Sequence, residues 1–126
     1  MLHEKKRVYG INESMRAVAD CVENLLSLED HAYIHTDRCK KCMQKHLLKA
    51  HGCARDAIEQ DHNPNQTKVL ISLERRVRNL FRLLESYENN PNETNGRRLG
   101  SRTRVVRKWA CRTFDLTHVM SHIGVV

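Results

Sequence analysis

The chain has 126 residues, of which 40% are hydrophobic, 29% charged and only 5% aromatic, so one domain with a thin core is expected, to which a metal cross-link would add stability. Five glycines and two prolines are too few for the closely spaced turns of an all-β fold. Lys and Arg outnumber Asp and Glu by 22 to 15, a formal charge of +7, which favours partners with negative surfaces: nucleic acid, an acidic protein face or an anionic membrane.

The opening MLHEKKRVYG carries charges where a signal peptide needs an apolar run, and no segment approaches membrane-spanning length. A protein that is neither secreted nor transmembrane is expected. Residues 1–10 read as a basic arm ending at Gly10. A first helix is predicted from Asn12 or Ser14, both good caps. Met15, Val18, Val22, Leu25 and Leu26 follow at helical spacing to about Leu28. Cys21 beside this stripe reads as a small buried apolar residue.

Leu28 to His31 close that helix and open a loop. Asp37 can cap a second helix over about Arg38–Gln60, on which Cys39, Cys42, His46, Ala50, Cys53 and Ala57 recur at alternating three and four spacing. Met43, Leu47, Ala54 and Ile58 flank that stripe. Gly52 lies mid-helix at a cost of about 1 kcal/mol against Ala, unless a close neighbour needs the room. A turn at Asp61–Asn65 contains Pro64, and a third helix is predicted over about Gln66–Tyr87, with Leu70, Leu73, Val77, Leu80, Leu84 and Tyr87 in heptad-like register. Residues 88–100, rich in Asn, read as a polar linker. On a last helix, Val105, Val106, Trp109, Ala110, Phe114 and His118 form an apolar face.

Chemistry concentrates between His31 and Cys53. Cys39 and Cys42 form a C-x2-C pair with histidines on both sides and no secretory signal, a pattern that suits metal better than a disulfide framework. Zinc in a closed structural site takes four thiolate or imidazole ligands in a tetrahedron. His31 and His46 are the first choice to complete it, giving H-x7-C-x2-C-x3-H. His35 rivals His31, and the pair His118 and His122 is a long-range alternative. The competing reading of the cysteines is two half-buried thiols on a helix face. Neither H-E-x-x-H, G-x-S-x-G nor a phosphate loop occurs, so no enzyme is expected.

Two basic clusters stand out. Arg75, Arg76, Arg78 and Arg82 lie opposite the apolar stripe of the third helix. Arg97, Arg98, Arg102, Arg104, Arg107 and Lys108 lead into and along the fourth. Both are candidates for phosphate contacts, against the alternative of a solvated basic face.

Residues 28–61 resemble a small helical protein type encoded by giant DNA viruses and large phages. The motif is carried by Leu28-Glu29-Asp30-His31, by Cys39, Cys42, Lys45 and His46, and by Asp56-Ala57-Ile58 with Asp61, Asp56 standing where that type has Glu. The resemblance implies a viral origin and supports His31 and His46 as ligands; a virion component is inferred from that setting, and with no signal peptide an intracellular location, host cytoplasm or nucleus, is expected. His35-x3-Cys39-x2-Cys42 is also similar to the zinc motif of bacterial anti-sigma domains, which would need Cys21 or His3 as a further ligand. The expectation is an all-α, four-helix bundle-like single domain held by a Zn2+ staple. Its expected role is a non-enzymatic virion assembly component contacting other virion proteins or packaged nucleic acid, with no membrane contact. The alternatives are a stand-alone nucleic-acid-binding regulator and, more remotely, an anti-sigma-like protein.

Overall fold

The computed structural model describes the backbone of residues 2–31, 37–60 and 64–116, with side chains over 14–30, 40–60 and 64–116. Four helices account for nearly all of it: α1 (Leu2–His31), α2 (Asp37–Gln60), α3 (Pro64–Asn89) and α4 (Glu93–Phe114). No strand occurs among the described residues, and no helix there is long and apolar enough to cross a membrane. The packed pairs are α1 with α2 and α4, and α3 with α2 and α4. This closes a ring around one core.

Each helix contributes one apolar seam. Val18, Cys21, Val22, Leu25 and Leu28 come from α1, and Met43, Leu47, Ala50, Ala54 and Ala57 from α2. Leu70, Leu73, Val77, Leu80, Leu84 and Tyr87 come from α3 as the heptad-like spacing predicts, and Leu99, Val106, Ala110 and Phe114 from α4. Cys21 is fully buried, as a small apolar residue would be.

Several boundaries differ from the sequence expectation. The expected arm continues α1 from Leu2, because Gly10 alone costs about 1 kcal/mol and a 30-residue helix absorbs that. Ser14 is therefore not a cap but an interior residue of α1, and its hydroxyl donates to the Ala57 carbonyl of α2 at 3.3 Å. Pro64 opens α3 rather than merely ending a turn, since the first helical turn has no use for the missing N–H. On α2 the expected stripe holds at Ala50 and Ala57, which are buried, but elsewhere its flanking residues Met43, Leu47 and Ala54 enter the core while Cys42, His46 and Cys53 stay half-buried at its edge. Aliphatic side chains gain more from leaving water than imidazole or thiol groups do.

The expected linker is the largest departure. Only 90–92 connect α3 to α4. Asn92, in extended conformation, caps α4 by accepting the Asn95 amide at 2.8 Å, and the Asn95 side chain donates to the Asn90 carbonyl at 2.8 Å. Glu93 sits in the first turn, where the helix dipole favours an anion, and pairs with Arg97 one turn on. Gly96 and Gly100 are buried in register with Leu99 and Thr103. The helix stops at Asp115, whose left-handed conformation (φ 51°) directs its own amide and that of Leu116 onto the Cys111 carbonyl. Val105, expected on the apolar face, is 48% exposed.

No atom lies within 4 Å of a methyl group built at Gly52. The Gly52→Ala variant should therefore gain about 0.5–1 kcal/mol, through helix propensity and a less flexible unfolded chain. Urea unfolding would register this as a higher midpoint at unchanged slope.

Candidate functional site

Two sites were expected, and the fold treats them differently. For the metal site, α1 ends at His31 and α2 begins at Asp37, so the backbone brings the His31, Cys39 and Cys42 positions to one end of the α1–α2 pair. Cys42 and His46, one turn apart on α2, are both half-buried. His46 Nδ1 lies 3.4 Å from Asn24 Oδ1 on α1. A metal-bound imidazole commonly gives its second nitrogen such an oxygen partner. The side chains of His31 and Cys39, and all of His35, His118 and His122, lie outside the described residues. Among the described residues no group of three or more His, Cys, Asp or Glu could hold a metal ion. Two of the four first-choice ligands are thus placed side by side.

Three other thiols are held in their protonated form. Burial pushes Cys21 far up, with Cys53 and Asp20 adding to the effect. Burial also raises Cys53, helped by Asp20 and Asp56, and raises Cys111 against the pull of Arg107. A protonated thiol is a poor ligand and a poor nucleophile.

The basic clusters divide in two. Arg104 Nε and Arg107 Nη1 each lie 2.7 Å from a carboxylate oxygen of Glu29 on α1. Glu29 and Arg107 retain only 14% and 17% of their side-chain exposure and Arg104 retains 48%, so the Glu29 carboxylate ties α4 to α1 mainly through Arg107, with Arg104 at the rim. Arg97 is engaged by Glu93. Sequence alone could not separate these residues from the rest, because the carboxylate that claims two of them is 75 residues away from Arg104.

The remaining charge gathers along the seam between α3 and α4. A groove of about 540 Å³ is lined by Arg75, Arg76, Arg78 and Arg82 from α3, by Arg102 from α4, and by Asn79 and Val106. It continues through Asn79 and Arg102 into a shallower one containing Arg98. Arg75, Arg82, Arg98 and Arg102 are exposed and make no ion pair with a described residue. Lys108 is exposed but lines neither groove. Arg76 and Arg78 are mounted from behind. The Arg76 guanidinium lies 4.3 Å from the centre of the Trp109 ring, and Arg78 donates to Glu74.

Glu74 was missed by the sequence reading. It is buried on the seam of α3, where it accepts from Arg78 and meets His51 Nε2 of α2 at 2.8 Å. An acidic residue in register with Leu70, Leu73 and Val77 was the available signal. His51 is half-buried and makes a T-shaped contact with the Phe81 ring at 5.9 Å. Burial alone would raise the Glu74 carboxyl, but hydrogen bonds from Arg78 and His51 outweigh it and hold the carboxyl below its ordinary range.

No family model, curated protein or solved structure matches the chain.

Because folded Glu74 binds its proton more weakly than unfolded Glu74, its contribution to stability is present above the unfolded value, near pH ~4.3. That contribution is lost as pH falls through the lower folded value. Glu74→Gln should be less stable than wild type at neutral pH and should lose less stability on acidification below about pH 5. Urea unfolding across that range compares the two.

Proposed function

We propose that the protein is a non-enzymatic assembly component that grips the sugar-phosphate backbone of nucleic acid through the α3–α4 groove. One observation carries this reading: Arg75, Arg82 and Arg102 converge on a single groove without a carboxylate partner among the described residues. Phosphate contacts of this kind position a nucleic acid without reading its sequence. Trp109 is covered on one face by Arg76 and contacted at its edge by Phe114, so it does not serve as an open base-stacking platform. The resemblance of residues 28–61 to proteins of giant viruses and phages favours packaged nucleic acid as the ligand, within a virion that also contains this protein's assembly partners.

The two arginine rails suit a run of phosphates. Arg75 to Arg82 spans seven residues of α3, or about 10 Å at about 1.5 Å per residue. With four groove arginines, Arg75, Arg76, Arg82 and Arg102, lacking a carboxylate partner among the described residues, binding to duplex of arbitrary sequence should fall with salt at a log–log slope of about −4. The double variant Arg82→Gln/Arg102→Gln should flatten that slope by about two. Fluorescence anisotropy against a salt series measures both. Binding that ignores salt would refute the reading.

We also propose that Zn2+ is bound by His31, Cys39, Cys42 and His46, clamping the end of α1 to the first turns of α2. The adjacency of Cys42 and His46, and the Asn24 contact to His46, support this ligand set. Zinc supplies a structural cross-link in such a site and no reaction. Purified protein should carry one zinc per chain by elemental analysis, and Cys39→Ser and His31→Ala should each lose it and lower the thermal midpoint. A metal-free wild-type protein of unchanged stability would refute the clamp.

A further inference from the structure

We propose that Arg76, mounted on Trp109, is the fixed anchor of a phosphate subsite in the α3–α4 groove, and that Arg75, Arg82 and Arg102 close on the same ligand from the groove walls. This rests on the reading of the groove as a phosphate site and names the chemistry at its floor.

Arg76 differs from its neighbours in how it is held. Its guanidinium sits over the Trp109 ring with 4.3 Å from carbon to centroid. Trp109 is itself braced edge-on by buried Phe114 at 6.1 Å and 89°. Arg76 Nε is buried and makes no hydrogen bond. A guanidinium with one edge taken out of water and one face on an aromatic ring has lost much of its rotational freedom before a ligand arrives. It lines the groove, and its remaining N–H groups form a planar fork that matches two oxygens of one phosphate.

Opposite charge is scarce at this point. Counting the described residues, Arg78 alone of the groove arginines has a carboxylate, Glu74, and that carboxylate is shared with His51. Guanidinium groups brought together repel one another, and solvated arginines would splay apart. Arg76 is prevented from doing so by its mount, so the groove keeps a standing positive centre. The ligand class is a phosphate group with two open oxygens and further negative charge within about 10 Å, the span of the rails. Free polyphosphate and the phosphodiester backbone share this chemistry.

Trp109 is the chain's single tryptophan, so its fluorescence reports on the anchor directly. Inorganic tripolyphosphate titrated into the full-length protein should change Trp109 emission saturably, with a stoichiometry of one by calorimetry. Arg76→Lys keeps the charge but loses the fork and the flat stack, and should bind about tenfold more weakly. Arg76→Gln should lose more than Arg112→Gln, which removes an equal charge from the exposed last turn of α4 outside the groove; circular dichroism confirms that each variant is folded. The anchor is refuted if tripolyphosphate binds without altering Trp109 emission, if Arg76→Lys binds as wild type does, or if Arg76→Gln and Arg112→Gln weaken binding equally. A labelled oligonucleotide separates the two sources. Tripolyphosphate binding at Arg76 without oligonucleotide binding upholds the anchor and overturns the nucleic-acid reading. Salt-dependent oligonucleotide binding that is indifferent to Arg76 does the reverse.

Discussion

Burial of one narrow apolar seam per helix is the constraint on which everything else in this protein depends. With 5% aromatic residues, the chain builds its described interior mostly from Leu, Val, Ala and Met, with Cys21, Tyr87 and Phe114 beside them. Narrow seams leave most of each helix surface in water, and a chain with 29% charged residues has ample material to cover it. The ring of contacts α1–α2–α3–α4 follows because each amphipathic helix must find a partner on both flanks of its seam.

Two carboxylates, buried Glu74 and largely buried Glu29, then decide what several of the basic residues do. Glu29 draws Arg104 and Arg107 from α4 onto α1, and Glu74 draws Arg78 and His51 together across α2 and α3. A carboxylate in such a setting needs close polar partners, and each has two within 2.8 Å. Arg75, Arg76, Arg82 and Arg102, left without a carboxylate partner among the described residues, line the groove between α3 and α4. The groove's charge is thus partly the residue of how the other seams are neutralised.

The α1–α2 end of the molecule has a different character. Asn24, Cys42 and His46 gather at the edge of the core rather than in it, where side chains keep access to water and to an ion. A clamp there would act on the connection between the first two helices, far along the chain from the arginines of α3 and α4. Binding and cross-linking would then be separate tasks on separate faces.

The sequence by itself determined the helical class and most of the seams of α1 and α3, because helical periodicity is local and survives without tertiary context. It misjudged residues 88–100, where Asn92 and Asn95 look like linker composition until their side chains are seen capping α4 and tying down its turn. On α2 it placed Ala50 and Ala57 in the core correctly but centred the seam on Cys42, His46 and Cys53 instead of their neighbours Met43, Leu47 and Ala54, because spacing alone does not say which of two adjacent residues gains more from leaving water. Only the tertiary structure decided that Arg104 and Arg107 belong to Glu29, that Glu74 is a core residue, and that Arg75, Arg76, Arg82 and Arg102 share a groove. Charge pairing across helices depends on distances between residues remote in the chain, and no local pattern encodes those distances.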